Sequence, residues 1–501
     1  MIAVLTPDEV RAVESRAARG NGPSLMERAG RATAEAARRI AKDTGSPILV
    51  VAGPGNNGGD AWVAAAYLGE SFHKVLVLDA AGTKPKATEA RAARAGLEKR
   101  PGTVIGEWPE NVKPALIVDG LLGIGLARDV DLRFAGIIAR INASGVPVLA
   151  IDCPSGIDSG SGAVRGCAVR ASHTITFIAH KVGLHTGDAL DHRGALELDD
   201  LGAGTEAASV AKGSLLIPDV VKDWLAPRPR NSHKGSFGAL AIIGGNRGMV
   251  GAALLAARAA LLCGAGKVRA GLLSPDAPPV DPERPEIMLG PIDDALEMEV
   301  IIAGPGAGQS PSATSGSMFE RTLLPALIAA AKPVVFDADA LNAIAFNASL
   351  ETALVARRTG PTILTPHPAE AARLLHKGTP EVNDDRLAAA LALAQRFNAY
   401  VVLKGAGSIC AFPDGRWSVN TTGNAGLSAA GSGDVLAGMI GAFLAQKLEP
   451  EKALQYAVCL HGAAADSCVA RGIGPIGLTA MDVALEARAV LNQWAAATKQ
   501  S

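Results

Sequence analysis

The chain has 501 residues, with 48 Lys and Arg against 49 Asp and Glu, and a formal charge of −1. Charged residues make up 19% and form no block of one sign, which argues against a nucleic-acid or anionic-membrane binder. A hydrophobic content of 48% excludes a disordered or fibrous chain. At roughly 100–200 residues per domain the length implies two to four domains, and two large α/β units fit it. Aromatic residues are scarce (Phe 10, Trp 5, Tyr 3) while Gly reaches 57. The cores must therefore be built from Ala, Val, Ile and Leu, with many tight turns between elements.

Met1 to Glu9 lacks the order of basic flank, apolar core and cleavage site that marks a signal peptide. No apolar run reaches the ~20 residues of a spanning helix. The six cysteines (153, 167, 263, 410, 459 and 468) include no C-x-x-C pair, which reads as reduced thiols in a cytoplasmic protein. No H-x-x-x-H or H-E-x-x-H pattern suggests zinc.

Along the chain, Pro47–Ala52, Lys74–Leu78, Leu116–Asp119 and Val146–Asp152 read as buried strands, separated by helical stretches such as Ala61–Gly69 and Glu89–Lys99. This is the βαβ rhythm of a parallel sheet covered on both faces. A second series follows residue 230: Ala239–Gly244, Val300–Gly304, Pro333–Asp337, Thr362–Thr365 and Tyr400–Lys404, with helices over Gly251–Cys263 and Val435–Gln446. Ala203 to Ser214 is Gly/Ala/Ser-rich and lacks strong periodicity, and Ala226-Pro-Arg-Pro-Arg-Asn-Ser breaks structure again. The expected domains are therefore 1–214 and 215–495.

In the first series, Gly53, Gly55 and Gly58 fit G-x-G-x-x-G, with Asp79 at about the distance of a ribose-binding acid. A dinucleotide dehydrogenase fingerprint does not explain Asn56, Asn57 and Asp60 in the same turn. Asp119 and Asp152 stand at later strand ends. Singly, each such Asp reads as a helix cap or turn former. Together, oxygen donors from Asn57, Asp119 and Ser155 suit a hard cation rather than zinc or copper.

These motifs carry a resemblance. Gly22-Pro-Ser-Leu-Met-Glu-Arg-Ala-Gly30, Gly53-Pro-Gly-Asn-Asn-Gly-Gly-Asp60, Asp119-Gly-Leu-Leu-Gly-Ile-Gly-Leu126 and Asp152-Cys-Pro-Ser-Gly-Ile-Asp158 together resemble the NAD(P)H-hydrate epimerase domain over about residues 1–205. The resemblance implies potassium held by Asn57, Asp119 and Ser155. It implies substrate contacts at Asn56, Asn57, Gly58, Gly59 and Asp60, at Gly123, Ile124, Gly125, Leu126, Ala127, Arg128 and Asp129, and at Asp152, which is also the candidate acid/base. Ala61 departs from the family's loop, which usually closes with another Gly.

In the second series, Asn420 to Asp434 is a glycine-rich run ending at a helix start. Backbone N–H groups presented there by Gly431 and Gly433 form an anion site suited to a phosphoryl group. Asp434 beside them can take a proton from an attacking hydroxyl; the plainer reading is a helix cap. His367 in Pro366-His367-Pro368 reads alone as a satisfied loop histidine. No G-x-x-x-x-G-K-[ST] exists, because Val268 follows Lys267 and Leu261 occupies the first glycine position, so a P-loop NTPase is excluded.

Gly-x-Gly-Asp opening a helix resembles the ribokinase-like superfamily. Lys234-Gly-Ser-Phe-Gly238, Ile242-Ile-Gly-Gly-Asn246, Gly251-Ala-Ala253, Gly304-Pro-Gly306, Pro366-His-Pro368, Lys404-Gly-Ala-Gly-Ser408 and Ala430 to Gly438 narrow the likeness to ADP/ATP-dependent NAD(P)H-hydrate dehydratases over roughly 220–490. The resemblance puts the hydrated cofactor at Ala252, Gly306, His367 and catalytic Asp434. It puts the adenine nucleotide at Lys404, Gly405, Ala406, Gly407, Ser408 and Gly433. Pro-His-Pro-Ala-Glu370 departs from the commoner form, which leaves the role of Glu370 open.

The expected fold is therefore α/β, two three-layer α/β/α domains, Rossmann-like then ribokinase-like. The whole chain resembles fused bifunctional NAD(P)H-hydrate repair enzymes, which implies epimerisation of the R and S hydrates of NADH and NADPH, then dehydration of the S hydrate at the expense of ADP or ATP. Potassium in the first domain and magnesium with the nucleotide in the second are expected. So are small-molecule partners only, no nucleic acid or membrane, and a cytoplasmic homo-oligomer. The alternatives are a ribokinase-like small-molecule kinase with a Rossmann-like appendage, and a first domain that only binds.

Overall fold

The computed structural model describes residues 2–17, 22–42, 45–71, 73–126, 128–308 and 317–497. The chain divides into two compact units, Ile2–Ser214 and Leu215–Ser501.

In the first unit, β1 (Ala3–Leu5) precedes β2 (Ile48–Ala52), β3 (Val75–Asp79), β4 (Val104–Ile105), β5 (Leu116–Gly120), β6 (Val148–Ile151), β7 (His173–Phe177), β8 (His180–Lys181) and β9 (Ala195–Asp199). The main sheet runs β4-β3-β2-β5-β6-β7-β9, and every neighbouring pair is parallel. Alternate side chains of β2 enter different cores. Ile48, Val50 and Ala52 pack with helices Leu25–Ile40 and Asn56–Glu70, while Leu49 and Val51 pack with helix Leu132–Ala143. Burial on both faces is why the strand is an unbroken apolar run. Strand order reverses between β2 and β5, which opens a crevice at their carboxyl ends.

β10 (Gly213–Leu216) spans the boundary between the units. In the second unit β11 (Ala239–Gly244), β12 (Lys267–Leu272), β13 (Met288–Leu289), β14 (Val300–Ala303), β15 (Val334–Phe336), β16 (Thr362–Leu364) and β17 (Tyr400–Leu403) form a parallel array in the order β13-β12-β11-β14-β15-β16-β17. β18 (Ile409–Ala411) and β19 (Trp417–Asn420) extend it antiparallel. Helices Val250–Leu262, Ser432–Ala445 and Pro450–Ala470 build one Ala-rich core against β11 and β14. The reversal here lies between β11 and β14. No helix among the described residues is long and apolar enough to cross a membrane.

Two expectations change. The stretch read as structureless from Ala203 to Ser214 holds helix Gly204–Val210 and the start of β10. Its short polar turn has little periodicity of its own; burial of Ala207 and packing on helix Pro7–Ala17 hold it instead. Both glycine-rich turns also become helical earlier than expected, at Asn56 rather than Ala61 and at Ser432 rather than Val435. The residues expected in loops thus form first helical turns, whose N–H groups lack intrahelical acceptors.

Candidate active sites

The first site lies where β2 and β5 diverge. Asn57 is in the first turn of its helix and is buried, as are Asp119 in β5 and Ser155 beyond β6. The Ser155 hydroxyl donates to Asp119 Oδ1 at 2.6 Å, and the Ser155 amide donates to Oδ2 at 2.9 Å. Asn57 Nδ2 donates to the Leu122 carbonyl at 2.8 Å, while Asn57 Oδ1 is buried with no partner among the described residues. Burial pushes the Asp119 carboxyl up, against the hydrogen bonds from Ser155 and Leu121. The three oxygen-bearing residues expected at a cation site therefore converge. The glycines serve this convergence by close approach. A Cβ on Gly53 would stand 1.8 Å from the Leu121 carbonyl oxygen, and one on Gly58 would stand 1.9 Å from that of Gly53. Ala61, the departure from the family loop, directs its methyl at Gly120.

Asp152 lies one residue past β6 at φ 62°, a left-handed conformation costing a residue with a Cβ about 1–3 kcal/mol. The strain is held by donors converging on its Oδ1: the Thr176 hydroxyl at 3.2 Å, the Phe177 amide at 3.2 Å, and the Lys181 ammonium. Lys181 is 1% exposed and also donates to Thr176 Oγ1 at 2.9 Å and the Phe177 carbonyl at 2.6 Å. Asp60 and Glu14 share this environment. Burial, then the Asp152 charge and Glu14, hold the Asp60 carboxyl well above its ordinary range; burial and Asp152 also raise Glu14. A buried acid pushed toward its protonated form and an ammonium-paired carboxylate therefore share this environment, the kind of pair that proton exchange calls for.

Lys181 and Glu14 were missed in the sequence. Lys181 interrupts an apolar run, and Glu14 follows buried Val10 and Val13 at helical spacing on their face, so both signals were present. Gly123 packs against Asn57, whereas Gly125, Arg128 and Asp129 are exposed, and Ala127 lies outside the described residues. Asp79 is not available as a ribose acceptor. It pairs with Arg94 at 2.9 Å and accepts from the Gly82 amide at 3.0 Å.

The second site collects residues from the ends of β14 to β17 and the start of helix Ser432–Ala445. Gly306 (φ 62°) faces Ala252, so these two expected substrate contacts meet, and the Gly304 backbone abuts Asp337. Asp337, one residue past β15, is buried; its Oδ1 accepts from the Thr365 hydroxyl at 2.6 Å and from Lys404 Nζ at 3.0 Å. Lys404 leaves the chain at the end of β17, yet its side chain turns to Asp337 and not along the 404–408 turn. Ser408 closes that turn, accepting from the Gly405 amide at 3.3 Å and donating to the Gly405 carbonyl at 3.0 Å.

Gly431 (φ 87°) caps the helix with no side-chain cap bond, so the plain capping role for Asp434 is not what this turn uses. Burial, then the Asp337 charge, push Asp434 up to about 7; Lys404 opposes, and Asp339 and Glu370 add to the rise. Burial alone would lower Lys404, but Asp337, Glu370 and Asp434 hold it above its ordinary value. His367 and Glu370 form a capping box. His367 Nδ1 accepts from the Ala369 amide at 3.1 Å, and Glu370 Oε2 accepts from the His367 amide at 2.8 Å. Glu370 thus has a structural duty that its sequence context left open. Burial, then Lys404, lower the His367 imidazole. Asp337 and Thr365 were read only as strand ends.

A doubly wound unit with an oxygen-lined crevice, joined to a unit with an acid–lysine cluster over a glycine-opened helix, defines a two-site α/β enzyme. Residues 22–183 match the family model described as YjeF-related protein N-terminus, and residues 240–484 match that of NAD(P)H-hydrate dehydratase. The bifunctional NAD(P)H-hydrate repair enzyme Nnr of Escherichia coli (strain K12) is 38% identical over 500 residues, 97% of this chain and 93% of its own. The enzyme of the same name from Coxiella burnetii is 38% identical over 89% of this chain and 90% of its own. A solved ADP/ATP-dependent NAD(P)H-hydrate dehydratase from Bacillus subtilis, co-crystallised with ATP and Mg2+, is 30% identical with a TM-score of 0.46; the match covers 56% of this chain and 98% of that one. The chain belongs to the family of bifunctional NAD(P)H-hydrate repair enzymes.

Because Lys181 is buried and paired with a mostly buried Asp152, replacing Lys181 by Met leaves a carboxylate without its cation. Such a break costs about 3–5 kcal/mol. Calorimetric unfolding of Lys181→Met should show the loss, and Lys181→Met combined with Asp152→Asn should recover much of it. Equal melting of Lys181→Met and the parent chain would contradict the pairing.

Proposed function

We propose that this chain repairs hydrated NADH and NADPH, the first unit interconverting the R and S hydrates and the second dehydrating the S hydrate at the expense of ADP or ATP. The observation that carries the reading is that a bifunctional relative matches 97% of this chain, spanning both units. Hydration leaves a hydroxyl on a carbon bonded to the ring nitrogen. In the first unit Asp152, fixed by Lys181 and Thr176, is the candidate base, and Asp60, whose carboxyl is pushed up by burial, is the candidate proton donor to the departing hydroxyl. Water returning to the other ring face gives the other epimer.

Potassium fits the first unit on one observation: Asn57 Oδ1 is a buried acceptor with no donor among the described residues, near Asp119 and Ser155. These three would hold it, and it would supply fixed positive charge next to the substrate pocket. In the second unit, no group of three or more His, Cys, Asp or Glu among the described residues is placed to hold a metal ion. Magnesium is accordingly read as part of the nucleotide co-substrate. There the hydrate's hydroxyl attacks the terminal phosphorus as AMP or ADP departs, Asp434 takes its proton, and phosphate then leaves in place of hydroxide, with a ring proton lost as the double bond returns. A homo-oligomer of this chain is part of the same reading.

Asp434→Asn should lower nucleotide-dependent recovery of reduced-nicotinamide absorbance by about 10²–10⁴-fold while epimerisation continues. In the parent chain, with Asp434 at about 7, the dehydration rate should fall as pH drops below 7, because the base is then protonated. A full rate for Asp434→Asn, or a pH-independent rate between 5.5 and 8, would refute the role.

With mixed epimers, Asp152→Asn should restore reduced cofactor rapidly up to the S share and then slow to spontaneous interconversion. The parent chain should show no break. A smooth curve from the variant would reduce Asp152 to a turn residue.

Potassium should raise the melting temperature of the parent chain above that in lithium, and Asp119→Ala should lose that difference. An equal response in both proteins would contradict the cation site.

A further inference from the structure

On the dehydratase reading the second unit must bind a polyphosphate beside acids whose charge opposes it. Asp337, Asp339, Glu370 and Asp434 bear on one another there, and the cation acting on Asp434 is Lys404. The chain has no P-loop lysine. The neighbouring arginines are committed elsewhere: Arg373 donates to Asn342 Oδ1 at 2.8 Å, and Arg386 to the Leu403 and Lys404 carbonyls at 3.3 Å.

Lys404 is tied at both ends. Its amide donates to the Pro366 carbonyl at 2.9 Å, and its ammonium uses a donor on Asp337, which the Thr365 hydroxyl holds in turn. The ammonium also stands over the first turn of helix Ser432–Ala445, where a Cβ on Gly433 would lie 3.2 Å from Nζ. Gly433 is not among the positive-φ glycines, so its backbone does not require glycine. A Cβ there would stand tighter to Lys404 Nζ than ordinary contact, so the amine would have to give by a few tenths of an ångström. This turn's N–H groups are the ones left without intrahelical acceptors, and the amine stands beside them.

We infer that Lys404 is a catalytic residue of dehydration, its ammonium completing the anion site of the Gly431–Asp434 turn and carrying the charge of the phosphoryl group in transfer. The inference rests on the dehydratase reading of the second unit. The hydroxyl oxygen of the S hydrate forms a bond to the terminal phosphorus as the bond from that phosphorus to the bridging oxygen breaks. The hydroxyl proton goes to Asp434. The electron pair goes to the bridging oxygen of the departing AMP or ADP, and Lys404 offsets the negative charge without giving up a proton. A residue that only gripped the nucleotide would act equally on bound substrate and transition state and would change KM alone.

The test uses the full chain, S hydrate and either nucleotide, with single-turnover rates and nucleotide KM for Lys404→Met, Lys404→Arg and Gly433→Ala. Lys404→Met should lose about 10²–10³-fold in kcat with nucleotide KM changed only a few-fold, and Lys404→Arg should regain part of kcat. Gly433→Ala keeps the charge but crowds Nζ, and should lower kcat about tenfold; it decides the matter if Lys404→Met fails to fold. Unchanged kcat in folded Lys404→Met with raised KM, or in Gly433→Ala, overturns the inference and leaves the dehydratase reading standing. Failure of the parent chain to restore reduced cofactor with either nucleotide defeats that reading instead.

Discussion

A carboxylate carried to the end of a buried strand must find a cation or a fan of donors, because its desolvation otherwise outweighs what packing returns. Each unit meets this constraint with one lysine turned inward. In the first, Lys181 is held on Asp152 together with Thr176 and the Phe177 amide. In the second, Lys404 is held on Asp337 together with Thr365. Both sites gather residues from the carboxyl ends of parallel strands, and in each the lysine makes the buried acids tolerable.

The same constraint separates the two aspartates proposed to act on hydroxyl groups. Asp152 receives three donors at one oxygen, one of them its own lysine. Asp434 has Lys404 only at one remove, since that ammonium is bonded to Asp337, and it faces Asp339 and Glu370 as well. Its rise to about 7 follows from burial among like charges with a shared counter-ion. One residue type is thus tuned differently by how its cation is divided.

Much of this was legible in the sequence. The apolar runs gave nine of the parallel strands to within a residue or two, because burial on both faces leaves an uninterrupted signal, whereas β4, β7, β9, β12 and β13 were not read. Asn57, Asp119 and Ser155 could be grouped because each follows or ends such a run. Lys181, Glu14 and Thr365 were not grouped, since their roles depend on partners far along the chain and on other strands: Lys181 is 29 residues from Asp152, and Thr365 is 28 from Asp337. The glycine turns were recognised but their ends misplaced. Glycine content marks close approach well and says little about where helical hydrogen bonding begins.

Loss of hydroxide next to a ring nitrogen and loss of a phosphate from the same carbon make different demands on a protein. The first, in the epimerase, must be reversible, and on the proposed reading a proton donor and a proton acceptor serve it, with no phosphoryl group to transfer. The second must be driven, and its cost falls on binding a charged nucleotide beside acids needed for proton transfer. The glycine-opened helix meets part of that demand with backbone donors that carry no net charge. The inward lysine meets the remainder. This explains why the second unit's glycines cluster at a helix start beside Lys404, while those of the first bring Gly53 against Leu121 and so draw Asn57 toward Asp119 and Ser155.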